Sequence, residues 1–176
     1  MKDFLLSFGS TQYLSMVLNL GVATILGAII GLERETAGKV AGLRTHSLVA
    51  LGSALFTVIS VMMFARVPSI SGTYGYDYHI VANILVGIGF IGAGAIMRKD
   101  EHVEGTTTAA SLWVAAGIGI ASGFGFYREA IITTVFAYAI LTGMWYLERR
   151  LRKSAHYRKH YPTTALDNDN NLPGNN

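Results

Sequence analysis

The sequence has no cysteine, only three prolines, and few charges. Asp, Glu, Lys and Arg make up 14% of its 176 residues, against about 25% in an ordinary soluble domain. Without cysteine there is no disulfide framework, no thiolate zinc site and no thiol nucleophile, which excludes the disulfide-rich secreted class and the cysteine enzymes. Fourteen basic and 11 acidic side chains leave little ionised surface for a soluble domain of this length. HExxH, P-loop and GxSxG signatures are missing too, so no reaction is legible and neither an enzyme nor a bound cofactor is expected. Proline is scarce while glycine numbers 20; loops draw on both, whereas close helix packing in lipid favours glycine.

What is present is apolar length. Five stretches, Gln12–Leu32, Leu43–Ala65, Ile80–Met97, Thr107–Phe126 and Ala130–Leu147, hold one ionised residue between them, Arg44 at the start of the second. A bilayer core of roughly 30 Å takes about 17–25 helical residues, so each stretch is long enough, and none shows the polar face of a soluble helix. The expectation is an all-α, polytopic membrane helix bundle with five transmembrane helices. The first stretch lacks a strongly basic start and a small-residue cleavage site, and is read as a retained span rather than a signal peptide.

Lys and Arg then set the direction. The linkers after stretches one and three, the edge of stretch two and the tail carry 11 of the 14 basic residues; Lys2, Arg66 and Arg128 fall on the other side. This predicts an outer N-terminus and a cytoplasmic C-terminus in a multi-pass membrane protein. Residues 1–151 form the expected transmembrane domain. Residues 152–176, basic around His156–His160 and then rich in Asn, read as a disordered cytoplasmic tail that touches anionic lipid rather than nucleic acid.

Thirteen glycines lie in the five stretches. Gly27 and Gly31 are spaced as GxxxG, which clears a helix face for a neighbouring backbone; packing within the chain is the first reading and a homodimer face the second. Gly87, Gly89, Gly92 and Gly94 are read as further packing positions. Gly87 to Gly92 spell GxGxxG, yet the run lies inside an apolar stretch, with no acid about 20 residues on, so the dinucleotide reading fails.

Polar residues gather at what the charge pattern makes the cytoplasmic end. Glu33, Arg34 and Glu35 leave stretch one, Arg44, Thr45 and His46 open stretch two, and Thr106, Thr107 and Thr108 open stretch four. Cations at a helix N-terminus oppose its dipole, so Arg44 and His46 call for Glu33 or Glu35 as a partner. A salt-bridged hairpin end and a binding site for an ion, phosphate or partner protein both remain open. On the outer side Asp77 and His79 form either a small polar site or part of an aromatic belt with Tyr74 and Tyr76. No metal site is expected. No stretch contains Asp, Glu or Lys, the groups that ion pathways use inside a bilayer.

The blocks Gly27–Glu35, Ala41–Val49, Gly87–Gly94 and Gly105–Trp113, in this order, resemble the MgtC/SapB family of bacterial inner-membrane proteins. The resemblance implies a role in adaptation to low magnesium and, in pathogens, in survival inside macrophages. It implies a regulator of other membrane machinery, the ATP synthase included, more than a transporter; a magnesium or other cation transporter or channel is the alternative. Two departures stand out. His79 occupies the place, eight residues before the Gly87 block, where relatives usually have arginine. Many relatives also continue into an ACT-like cytoplasmic domain, where this sequence has a short tail.

Overall fold

The computed structural model describes residues 10–64, 78–99 and 102–152. Five helices account for most of them: α1 (Ser10–Thr36), α2 (Leu43–Phe64), α3 (Tyr78–Ala95), α4 (Thr106–Gly123) and α5 (Tyr127–Arg152). Between α3 and α4, strands β1 (Met97–Lys99) and β2 (His102–Glu104) pair antiparallel, with Arg98 opposite Val103. The helical expectation holds over the described residues apart from this one small hairpin, which the sequence did not signal. Its strands are three residues each, too short to leave an alternating pattern in sequence. Expected helix bounds shift by a few residues, most at the last helix, which runs on to Arg152 through the basic Arg149 and Arg150.

Among the described residues two helices are long and apolar enough to cross a membrane, over Tyr13–Thr36 and Leu43–Met63, and His79–Ala95 is apolar but shorter. The chain divides into two units, Met1–Tyr138 and Ala139–Asn176. Within the first, α1, α2 and α4 pack on one another and α3 packs mainly on α4.

Side-chain size is distributed the opposite way from a soluble protein. The buried positions are mostly small: Ala23, Ala50, Ala54, Ala115 and Ala116 are fully buried, beside buried Ser53, Thr57 and Ser122. Large apolar side chains point outward on every helix, as Val17, Phe56, Phe90, Trp113 and Phe136 do, with Phe90 85% exposed. Water penalises such a surface, whereas small residues inside and large apolar ones outside suit helices that meet through close backbones in lipid.

Glycine makes the close approach. A Cβ on Gly27 would fall 2.8 Å from Ala50 Cβ and from the His46 carbonyl oxygen; one on Gly31 would fall 2.7 Å from Leu43 Cα. On α4, a Cβ on Gly119 would overlap the Ala50 carbonyl oxygen, and one on Gly123 would fall 2.6 Å from Thr57 Cβ. The buried hydroxyls are satisfied within their own helices: Thr57 donates to Ser53 O, Ser122 to Ile118 O and Thr134 to Ala130 O, each at 2.8 Å. This is how hydroxyls are carried in apolar helices without an unpaired polar group.

The tight turn between α4 and α5 is a Schellman cap. Phe126 N–H reaches Ala121 O (2.8 Å), Gly125 N–H reaches Ser122 O (2.9 Å), and Gly125 sits at φ +80°, a region open to glycine at little cost. Asn19 of α1 fastens this turn: its amide donates to Gly123 O at 2.9 Å and accepts from the Tyr127 hydroxyl.

Candidate functional site

The junction of α1, α2 and α4 gathers part of the predicted polar cluster. His46 opens this site. One turn into α2, its ring is fully buried, with Nδ1 2.9 Å from Gly42 O and Nε2 2.9 Å from Ser111 Oγ on α4. A carbonyl only accepts, so Nδ1 carries a hydrogen toward Gly42. Ser111 Oγ is also 2.8 Å from Thr108 O, and Thr108 is buried beside it. The ring thus bridges two helices that backbone bonds do not join.

Next to His46 stands an ion pair of neighbours. Arg34 binds Glu33 in two-pronged fashion, Nε to Oε2 and Nη2 to Oε1, the latter at 2.7 Å. The side chains are 4% and 9% exposed, so this pair is nearly closed to solvent. A paired, fork-on-carboxylate geometry is what makes such burial tolerable. Arg34 also lies in the last turn of α1, where a cation complements the carbonyl end of the helix dipole.

Glu35 has a different task. Its Oε2 accepts the Leu43 backbone N–H at 2.7 Å, so an acid satisfies the first free donor of α2 and offsets its dipole. The carboxylate crosses the linker directly over Gly42, where a Cβ would overlap it.

The expected pairing of Arg44 or His46 with Glu33 or Glu35 is corrected here. Glu33 is taken by Arg34 and Glu35 by Leu43, His46 is held by Gly42 and Ser111, and among the described residues no ion pair involves Arg44. Arg44 is exposed and, with Thr45, lines a separate groove between α2 and α3. Thr106 and Thr107 are exposed, whereas Thr108 turns inward. Glu33, Arg34, His46 and Thr108 therefore come together, and Arg44, Thr45, Thr106 and Thr107 stand apart from them.

Of the outer pair, Asp77 lies outside the described residues and His79 is exposed in the first turn of α3. Tyr74, Tyr76 and the tail from residue 153 also lie outside them. Among the glycines of α3, a Cβ on Gly92 would lie 3.5 Å from Ala109 Cβ, whereas one on Gly87, Gly89 or Gly94 would meet nothing within 4 Å. Among the described residues nothing packs at those three positions, and α3 packs mainly on α4. The GxGxxG run lies within α3, and among the described residues no strand precedes it.

Ser111 is the site member that sequence reasoning passed over. Ser111 stood in one of the quoted blocks, Gly105–Trp113, but a serine in an apolar helix carries no sign of its partner 65 positions away.

The four sequence blocks and this junction coincide with a known family. The MgtC family matches residues 20–150. The chain belongs to that family. Within it, the chain is 40% identical to protein SapB of Bacillus subtilis strain 168 over 139 residues, covering 78% of this chain and 59% of SapB. It is 41% identical to "Putative magnesium transporter YhiD" of Escherichia coli strain K12 over 135 residues, 77% of this chain and 63% of that one. Identity to protein MgtC of Salmonella typhimurium strain 14028s is 44% over 119 residues, 68% of this chain and 48% of MgtC. The chain thus spans about half to three fifths of the length of these curated relatives. No solved structure matches. The MgtC-family match takes in the whole junction, from Glu33 and Arg34 to Thr108 and Ser111.

Proposed function

We propose that this MgtC-family protein is a multi-pass protein of the bacterial inner membrane that regulates other membrane machinery during adaptation to low magnesium, and that it neither catalyses a reaction nor conducts an ion. The observation that carries this reading is the closure of the α1–α2–α4 core. At Gly27, Gly31, Gly119 and Gly123 the helices approach so closely that a single added methyl would collide with the neighbour, and this leaves no room there for a hydrated path. The nearly buried charges are matched as a pair rather than lining a channel, whereas ion pathways present ionisable groups to a cavity.

In this reading all five helices cross the bilayer, with the N-terminus outside and the C-terminus cytoplasmic. The bias of 11 among 14 basic residues supports that direction, and the outward-facing large apolar side chains support lipid exposure. The partner is a membrane protein; the ATP synthase is the first candidate through the family resemblance, and survival inside macrophages is the setting if the host bacterium is a pathogen. A homodimer is a further assembly to test.

Magnesium transport is the second reading, favoured by the name of the YhiD relative. Purified protein in liposomes is expected to give no saturable magnesium flux. Flux that saturates and is lost in Glu33→Ala overturns the regulatory reading. Affinity capture from native membranes under magnesium limitation is expected to bring down a defined membrane protein, and less of it with Arg34→Ala.

A further inference from the structure

A groove of about 880 Å³ runs between α2 and α3, within the range of about 300–1,000 Å³ over which pockets take small ligands. Its walls are mostly apolar, with Phe56, Ile59 and Met63 from α2 and Ile84, Ile88 and Ile91 from α3, and Ser53 and Asn83 as polar positions along its length. Gly52 and Gly87 form part of the lining, and a Cβ on either would meet open space. Unlike the glycines of the α1–α2–α4 core, these two widen a gap instead of closing one. The exception to the apolar lining at the α2 N-terminus is Arg44, with Thr45 beside it. Among the described residues Arg44 has no ion pair.

An unpaired guanidinium at the first turn of a helix is unfavourable, since that end of the helix already carries partial positive charge. An anion at this position would be drawn both by the guanidinium and by the helix end, and arginine presents a planar fork suited to phosphate. Below the charge lies an apolar trough. Arg44 and Met63 line its two extremes along α2, separated by roughly 28 Å at the helical rise per residue. One leaflet is about half of a 30 Å hydrocarbon core, so an acyl chain fits lengthwise.

We propose that this groove is a binding site for an anionic phospholipid of the cytoplasmic leaflet, with the phosphate on Arg44 and Thr45 and an acyl chain along Phe56, Gly87 and Ile88. Basic pockets between membrane helices on the cytoplasmic side are where such headgroups are held. The site rests on the membrane-embedded, cytoplasm-facing orientation given above and on no choice between regulator and transporter.

The test is native mass spectrometry of the full chain in detergent, titrated with phosphatidylglycerol or phosphatidylcholine of identical acyl chains. The expected result is a preference of about fivefold for phosphatidylglycerol in the wild type, retained in Arg44→Lys and lost in Arg44→Gln. Gly87→Leu, whose Cβ meets open space and whose side chain extends into the groove, is expected to reduce retention of both lipids. Equal retention of the two lipids by the wild type, or a preference that survives Arg44→Gln, overturns the site. Carbonate extraction of cell membranes separates the two levels of failure: a protein that stays in the membrane but lacks the preference overturns the lipid site alone, and a protein released by carbonate overturns the membrane reading beneath it.

Discussion

His46 Nε2 lies 2.9 Å from Ser111 Oγ, a side-chain bond that links α2 to α4 across 65 residues of sequence in a fully buried setting. Ser111→Ala leaves the ring nitrogen without a partner inside the bundle, and a buried orphan of this kind costs about 1–3 kcal/mol. The thermal midpoint of the detergent-purified protein is expected to fall, with Ser111→Thr close to wild type because the hydroxyl is kept. His46→Ala is expected to fall further, since it adds a void to the lost bonds. An unchanged midpoint in Ser111→Ala counts against the bond as a structural tie.

The neighbouring ion pair predicts a different pattern. With side-chain exposures of 4% and 9%, Arg34 and Glu33 are each other's compensation. Removing one partner strands a nearly buried charge, at a cost of about 3–5 kcal/mol. Arg34→Met and Glu33→Gln are each expected to destabilise strongly, and the double variant to lose clearly less than their sum. Chemical unfolding of the four proteins in a double-mutant cycle measures the coupling; strict additivity would show that the two side chains act independently.

Glycines divide into two groups with opposite expected responses. At Gly119 an added methyl overlaps the Ala50 carbonyl oxygen, whereas at Gly117, two residues earlier on the same helix, it meets nothing. Gly119→Ala is expected to lower the yield of folded protein from membranes. Gly117→Ala is expected to be neutral or stabilising by up to about 1 kcal/mol, the helix preference of alanine over glycine. Fluorescence-detected gel filtration of tagged variants distinguishes them, and equal behaviour would contradict the close approach.

Asn19 gives a fourth expectation. Its amide is engaged on both sides, by Gly123 O and by the Tyr127 hydroxyl. Tyr127→Phe removes one bond and Asn19→Ala removes both, so the losses are expected to be about 1 kcal/mol and about twice that. Faster amide hydrogen exchange confined to the α4–α5 turn is the signature, and it is expected in both variants in the same order.

Much of the helical layout was legible in sequence because it depends on one-dimensional quantities: apolar length and the placing of charge. The Leu43 start of the second helix followed from those alone. Of the nine polar residues expected together at that end, Glu33, Arg34, His46 and Thr108 meet, whereas Arg44, Thr45, Thr106 and Thr107 stand apart. Pairing did not. Glu33 looked like a partner for Arg44, yet it closes on Arg34 beside it, and Glu35 serves a backbone N–H instead. Helix-dipole reasoning identified the right end of α2 and the right kind of compensating group, but not the atom it would bind. His46 was treated as a cation in need of an acid, when a carbonyl and a hydroxyl hold it. The glycines show the same limit. Gly27 and Gly87 are alike in sequence context, and only the helix that lies across from Gly27 makes it a contact and leaves Gly87 open.

Ser111 owns one hydroxyl proton and has two claimants for it, Thr108 O at 2.8 Å and His46 Nε2 at 2.9 Å. With the ring neutral and its Nδ1 hydrogen on Gly42, Nε2 can only accept, so the hydroxyl turns to the ring and leaves Thr108 to its helix bond. With the ring protonated, Nε2 donates and the hydroxyl swings back to Thr108. The meeting point of three helices therefore holds two complete hydrogen-bond arrangements that differ by one proton and require no heavy atom to move.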